Sequence, residues 1–410
     1  MTIFYITGGW GYGNKGDNAI FEGMQLSFKA KYPDAKLVIT SYSQEEMKSQ
    51  HDVISIPSVH RLLTNRSPLA LVRWLSVGLW RLSGQPVWLA PSLRRHLQRM
   101  QEASVVVLGG GGYFNDAWPD MLRCRYVEFD LAHAAGTPVM LYGQTIGPFK
   151  QTTIVKSLAR QLRRVAMIAY RDQQSLPVLQ ACGVPKEKIV YTADEANLLR
   201  PIIARSERGK SPPTLKIGVM VQNFRPHLSQ TGPSPAGSIK DESAYRIALR
   251  EALSALAGQQ PLAAFTFIPS TRWDESFCKQ IFEQMNQAMP GRAKMLANPS
   301  ARQFIDACQA VDLMISTNMH PVILAATAGA PSVAISYHYK LDDYMCSIGL
   351  SDFSLKIDDF SADSLLEKCI DALARLEDLS QRVRMAHEAV CSAASRNMQG
   401  LETIVTSLNR

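Results

Sequence analysis

The chain has 410 residues, 46% of them hydrophobic and 20% charged, with a formal net charge of +8. That length exceeds one ordinary hydrophobic core and predicts two domains, and that composition excludes a disordered or fibrous chain. The basic balance suits acidic small molecules, nucleic acid or an anionic membrane surface, and by itself does not choose among them. Seven cysteines, at 124, 182, 278, 308, 346, 369 and 391, are scattered without a CxxC pair. The pattern predicts reduced thiols in a cytosolic compartment rather than a zinc or disulfide framework. The first residues read as an apolar strand rather than a cleavable leader, and no apolar run reaches the roughly 20 residues of a spanning helix. The expectation is a cytoplasmic protein, free or peripheral at the inner face of the membrane.

Residues 2–7 are β-branched and apolar throughout and predict a buried strand, followed by GGWGYGNKGDNAI at 8–20. Glycines at 8, 9, 11, 13 and 16 let backbone approach a ligand or take φ > 0, and Asp17 or Asn18 is expected to cap a helix over 19–31. The spacing matches neither the dinucleotide fingerprint nor the P-loop. A second strand is expected at 37–41. Residues 60–100 hold seven arginines, three tryptophans and no acidic residue. Trp and Arg on an amphipathic helix describe an interfacial segment in contact with an anionic membrane. A helix with solvated arginines, or a groove for an anionic acceptor, are the other readings.

Residues 104–108 predict another buried strand, ending in GGGGYFND at 109–116; residues 139–142 predict the next, ending in GQTIGPF at 143–149. A strand at 167–169 leads into Tyr170-Arg171-Asp172, and one at 188–191 into Thr192-Ala193-Asp194. This cadence of strand, polar turn and helix predicts a parallel, doubly wound sheet. Residues 206–213, SERGKSPP, read as an interdomain linker. A fresh strand is expected at 216–221, then Gln222-Asn223-Phe224-Arg225 and an irregular 226–240 in the manner of a substrate loop. Beyond it come a helix over 242–257, a strand over 263–268, and Pro269-Ser270-Thr271-Arg272-Trp273-Asp274.

The stretch 311–340 carries the most chemistry. An apolar strand at 311–315 stops at Ser316-Thr317-Asn318; His320 and Pro321 open a small-residue helix over 322–328; Gly329 ends it; a strand follows at 332–336, then Tyr337-His338-Tyr339-Lys340. A turn of this kind at the carboxyl end of a parallel strand binds ligands and favours anions. Helices are expected over 362–376 and 379–408.

The marks GNKGDNAI, LGGGGYF, GQTIGP, RDQQSLPVLQACGV with DEANLL, FIPSTRWDE, STNMH and AGAPSVAISYHYK resemble the polysaccharide pyruvyl transferase family, in order, from residue 13 to about 350. The resemblance implies an α/β chain of two Rossmann-like domains facing across a cleft, glycosyltransferase-B-like, with a helical C-terminus. The boundaries read as 1–205 for the acceptor side, 214–360 for the donor side and 361–410 for C-terminal helices. It also implies transfer of a pyruvyl group from phosphoenolpyruvate to a sugar hydroxyl, as a ketal, in a bacterial surface polysaccharide or its lipid-linked precursor. Phosphoenolpyruvate is then a co-substrate, with no cofactor, metal or nucleic acid expected. The family carries Arg two residues before the His of STNMH, and here Asn318 stands there. Either Arg225, Arg272 or Lys340 supplies that charge, or the donor differs.

For such a reaction His320, His338 and Asp194 are the candidate acid–base groups. Asn318, His320, Lys340, Arg171, Arg225 and Arg272 are candidates for the donor; Asn14, Asp17, Gly111, Gly112, Asp116 and Gln144 for the acceptor. Two other functions fit the pattern: a sugar-nucleotide-dependent glycosyltransferase of the same architecture, and a non-catalytic peripheral scaffold of a polysaccharide assembly.

Overall fold

The structure, a computed structural model, describes residues 2–200, 214–224 and 241–408. Arg225, the expected linker at 206–213 and the expected loop at 226–240 lie outside the described residues. The described residues form two compact units: those within 1–12, 20–195 and 393–410 make unit 1, and those within 13–19 and 196–392 make unit 2.

Unit 1 is built on eight parallel strands: β1 (Ile3–Thr7), β2 (Lys36–Ser41), β3 (Ile54–Pro57), β4 (Val105–Leu108), β5 (Gly111–Phe114), β6 (Val139–Ile146), β7 (Met167–Tyr170) and β8 (Ile189–Tyr191). Their order is β3-β2-β1-β4-β6-β7-β8, with β5 added on β6. Successive side chains point to opposite faces, so β4 divides its four residues between two cores. Val106 and Leu108 join Tyr5 and Leu141 on one face, while Val105 and Val107 join Phe4, Ile6, Met140 and Tyr142 on the other. A sheet covered on both faces needs continuous apolar strands, which is why these read as unbroken runs. Full burial of each such side chain contributes about 1.5–3 kcal/mol. The helix Pro91–Gln101 shows the covering pattern: Leu93, Leu97 and Met100 face inward and Arg95 outward.

Unit 2 has six parallel strands: β9 (Lys216–Met220), β10 (Ala264–Phe267), β11 (Ala293–Met295), β12 (Leu313–Ser316), β13 (Ser332–Ser336) and β14 (Ser354–Lys356), in the order β11-β10-β9-β12-β13-β14. In both units the strand order therefore switches between parallel neighbours, at β1/β4 and at β9/β12. Ligands bind outside the carboxyl ends of such strands. Four of the turns singled out on the sequence follow these strands.

Several boundaries differ from expectation. The first helix runs Lys15–Lys31, four residues earlier than expected, because Asn14 rather than Asp17 or Asn18 caps it: Asn14 Oδ1 accepts from the Gly16 N–H at 3.0 Å. Asp17 lies inside the first turn. The strand after residue 139 runs through Gly143 to Ile146, since Gly143 takes φ +62° without leaving the sheet. Part of the glycine turn at 109–112 becomes β5 by pairing with β6. A helix Tyr339–Ser347, not expected on the sequence, starts within the Tyr337–Lys340 cluster. The last helices span Ala362–Ala374 and Leu376–Leu408, and residues from 393 onward pack Leu401, Ile404 and Val405 into unit 1. No helix among the described residues is long and apolar enough to cross a membrane.

Burial holds His51, His60, His96, His338 and His387 neutral down to about 4, against 6.5 for the free side chain. The unfolded chain takes up these protons below 6.5 and the folded chain does not, so their stability is complete above 6.5 and is lost as pH falls towards 4. The slope is about 1.4 kcal/mol per pH unit for each histidine in that window. Burial also raises Glu195 to about 7 and Asp274 to about 6, which acts in the opposite sense. Five histidines outweigh two carboxyls. The urea midpoint is expected to fall steadily from neutral pH to about pH 5; a midpoint that holds or rises contradicts the assignment.

Candidate active site

The turn after β12 is held by its own side chains. Ser316 Oγ accepts from the Asn318 N–H at 3.0 Å and donates to the Asn318 carbonyl at 2.8 Å. The Thr317 N–H donates to Met220 O at 3.0 Å, and Thr317 Oγ1 accepts from the Gln222 N–H at 2.8 Å. These bonds tie the ends of β12 and β9 together where the strand order switches. Asn318 occupies the N-cap position of the helix Met319–Thr327 in extended conformation, and its carboxamide makes no capping bond. His320 is the second residue of that helix and is 8% exposed. Pro321 is tolerated one position later because the N–H it lacks has no partner in a first turn.

Residues 13–19 belong to the same unit. Asn14 forms an antiparallel bridge with Thr271, and the Lys15 N–H donates to Ser270 O at 2.9 Å. Gly16 lies directly on the imidazole: a Cβ at Gly16 would sit 2.2 Å from His320 Nδ1. Asn14 and Asp17, assigned to the acceptor-side domain on sequence order, are therefore grouped with His320 and Arg272 in unit 2. The chain's amino-terminal position does not decide which unit its glycine segment packs in.

Asp274 joins two further strand ends. Its Oδ2 accepts from the Thr271 N–H at 3.0 Å, Thr271 Oγ1 accepts back from the Asp274 N–H at 3.3 Å, and Oδ1 accepts from the Asn223 N–H at 3.0 Å. This reciprocal cap starts the helix Arg272–Ala288, whose first residue, Arg272, is exposed with its guanidinium 4.5 Å from the Trp273 ring centroid. His338 caps the helix Tyr339–Ser347 through Nδ1, which accepts from the Lys340 N–H at 3.3 Å. Burial and the Lys340 charge lower His338 to about 4, so it stands neutral at neutral pH.

Three helices thus start at the carboxyl edge of this sheet with Arg272, His320 and Lys340 in their first turns. The macrodipole disfavours cations there. Asp274 and Glu275 share the first turn with Arg272 and Asp342 shares that of Lys340, so of the three only the turn that carries His320 has no acidic residue. Asp342, in the same first turn as Lys340, is held away by Ser336 at 2.7 Å, Ser354 at 2.8 Å and Lys356 at 2.5 Å.

In unit 1, Gln144 Nε2 donates to Leu108 O at 3.0 Å and to Gly109 O, pinning the glycine turn. Gly111 has φ +142°, where a side chain is strained. Gly112 O accepts from Asn115 Nδ2, and Asp116 Oδ2 accepts from the Lys150 N–H. Arg171 and Asp194, expected to serve the donor and the acid–base chemistry separately, form an ion pair with each other, their side chains 6% and 4% exposed. Arg171 Nε also donates to Thr145 at 3.2 Å. Each quenches the charge that its expected role required, and the reason is tertiary: the turns after β7 and β8 lie side by side.

The sequence reading missed a second buried pair. Arg125 contacts Glu128 at 2.5 Å, and Glu128 Oε1 accepts from Thr7 Oγ1 at 2.9 Å, at the end of β1. An i,i+3 pair on a helix looks like a solvated face on sequence, and only the apolar residues around it hint otherwise. Arg125→Met is expected to cost about 3–5 kcal/mol by leaving Glu128 buried and unpaired. The double variant with Glu128→Gln should regain part of that in urea unfolding; a single variant within experimental error of the parent refutes the pairing.

The fold and the strand-end sites define a glycosyltransferase-B-like α/β protein. Two structures show the likeness. HepE of Anabaena, in complex with UDP and glucose, superposes with a TM-score of 0.59 at 13% identity, over 99% of this chain and 100% of that one. The UDP-GlcNAc 2-epimerase of Neisseria meningitidis, bound to UDP-GlcNAc, superposes with 0.61 at 10% identity, over 98% and 100%. The family described as polysaccharide pyruvyl transferase matches residues 14–339, and the chain belongs to that family. A curated relative, the amylovoran biosynthesis protein AmsJ of Erwinia amylovora, is 21% identical over 92% of this chain and 93% of its own. The protein is a polysaccharide-modifying transferase.

Proposed function

We propose that this transferase moves a pyruvyl group from phosphoenolpyruvate to two hydroxyls of a sugar, as a cyclic ketal, during surface-polysaccharide or lipid-linked precursor synthesis. The observation that carries this is the arrangement of Arg272, His320 and Lys340 in three first turns at one edge of the unit 2 sheet. A small donor with a phosphate and a carboxylate matches several cations and N–H dipoles. Because Asn318 carries no charge, the carboxylate or phosphate is assigned to Lys340 and Arg272.

The chemistry balances as follows. A proton adds to the methylene carbon and the enol double bond becomes a cation at the neighbouring carbon. One sugar hydroxyl adds there, phosphate leaves with its bonding electrons, and the second hydroxyl closes the ketal. Of the two hydroxyl protons released, one balances the proton taken up by carbon and one leaves with phosphate. His320 binds the phosphate and assists its departure. Neutral His338 has its Nδ1 lone pair engaged in the cap and so carries its hydrogen on Nε2, from which it donates to a substrate oxygen. Asn14 and Asp17 stand beside His320 for the acceptor or the donor, and the Arg171–Asp194 pair holds the strand ends of unit 1.

A sugar-nucleotide glycosyltransferase is the second reading, favoured by the UDP bound in HepE and the UDP-GlcNAc bound in the epimerase. A peripheral scaffold is the third. Thermal shift separates them: stabilisation by phosphoenolpyruvate, growing as RT ln(1 + [L]/Kd), supports the first reading. Stabilisation by UDP-sugars alone supports the second, and a response to neither supports the scaffold.

A further inference from the structure

The helix Pro68–Ser83 buries Ala70, Ser76, Val77 and Trp80 against the core of unit 1, and Trp74 Nε1 donates to Leu63 O at 2.9 Å. Its other side is also apolar. Leu71, Val72, Leu75, Leu79 and Leu82 are between 49% and 89% exposed, and 72, 75, 79 and 82 follow the i, i+3, i+7, i+10 spacing of one stripe. Gly84 in the left-handed conformation ends the helix, and Val87 and Trp88 extend the exposed apolar surface. Eight of the seventeen exposed large apolar side chains among the described residues fall between Leu69 and Trp88. A continuous patch of this kind marks an interaction surface rather than scattered exposure.

Charge selects the occupant. Residues 60–101 contain seven arginines and no Asp or Glu. Arg66, before the Ser67 cap, and Arg95 are exposed. Arg81 in the last turn is held by Asp130 at 2.9 Å, and Arg94 fastens the Trp88 turn by donating to Val87 O and Leu89 O. A second copy of this chain would bring the same arginine-bearing rim against itself in an isologous contact. An anionic lipid surface matches both the stripe and the rim. With 16 residues the helix is too short to cross the bilayer. We propose that Pro68–Ser83 and the turn through Trp88 lie in the plane of an anionic membrane surface, leucines into the acyl boundary and arginines at the headgroups.

The proposal does not rest on the pyruvyl-transfer reading. It is tested by co-sedimentation of the full chain with vesicles of phosphatidylcholine plus phosphatidylglycerol, and of phosphatidylcholine alone, at low and high salt. Binding to the anionic vesicles is expected, weakening with salt, and falling about tenfold or more in Leu75→Glu/Leu79→Glu. That variant should keep its melting temperature because neither side chain enters the core. Arg66→Glu/Arg95→Glu should weaken binding with the stripe intact. Absence of sedimentation at low salt, equal binding to phosphatidylcholine alone, or undiminished binding of the leucine variant overturns the proposal. So does a dimer that the leucine variant splits into monomers without any vesicle binding by the parent.

Discussion

Replacing His320 by Asn is expected to lower phosphate release from phosphoenolpyruvate by about 10²–10⁴-fold, the range for losing a positioned proton-transfer group. Asn keeps a hydrogen-bonding side chain near the Nδ1 position, so the contact with Gly16 and the helix start should survive. The change removes the ring, its second nitrogen and its capacity for positive charge. If His320 holds the donor phosphate only in the ground state, KM rises and kcat is kept; if it assists phosphate departure, kcat falls. The second result is expected, since phosphate departure is the step at which negative charge builds on the leaving oxygen. Turnover at the parent rate in a folded His320→Asn protein removes the imidazole from the reaction.

Gly16→Ala sets two effects against each other. In a helix, Ala is favoured over Gly by roughly 0.8–1 kcal/mol. The new Cβ, however, would fall 2.2 Å from His320 Nδ1, 2.5 Å from Cγ and 2.9 Å from Cβ. The last of these belongs to the root of the side chain, so rotating the ring alone does not relieve the clash. Overpacking of this kind costs about 1–3 kcal/mol, and a displacement of 1 Å at a reacting group can cost about 10²-fold in rate. The expected outcome is a lower melting temperature together with a loss of activity on that scale. Gly13→Ala is the control: Gly13 has φ +93° and nothing within 4 Å of a built Cβ, so the penalty is backbone strain without displacement of His320. A Gly16→Ala enzyme with parental kinetics would show that the imidazole's position is not set by this contact.

The buried strands and the polar turns behind them were legible because parallel strands covered on both faces need unbroken apolar runs and their carboxyl ends release the chain into glycine or polar residues. The strand order was not in that pattern. Nor was the partner of Arg171, which lies 23 residues away at Asp194 and becomes its neighbour only because β7 and β8 pair. The start of the first helix was misplaced because Asn14, Asp17 and Asn18 are all suitable caps by residue type. Only the bridge from Asn14 to Thr271 fixes which one serves.

By itself the sequence determined the α/β class, the turns that carry polar side chains, the basic apolar segment at 60–100 and the marks of the family. These follow from local periodicity and residue chemistry, which a linear chain displays directly. The tertiary structure alone decided that residues 13–19 pack with His320, that Arg171 and Asp194 neutralise each other, and that the Leu71–Leu82 stripe stays outside the core. Each depends on which distant segments meet, and burial and pairing energies, not local propensity, settle that.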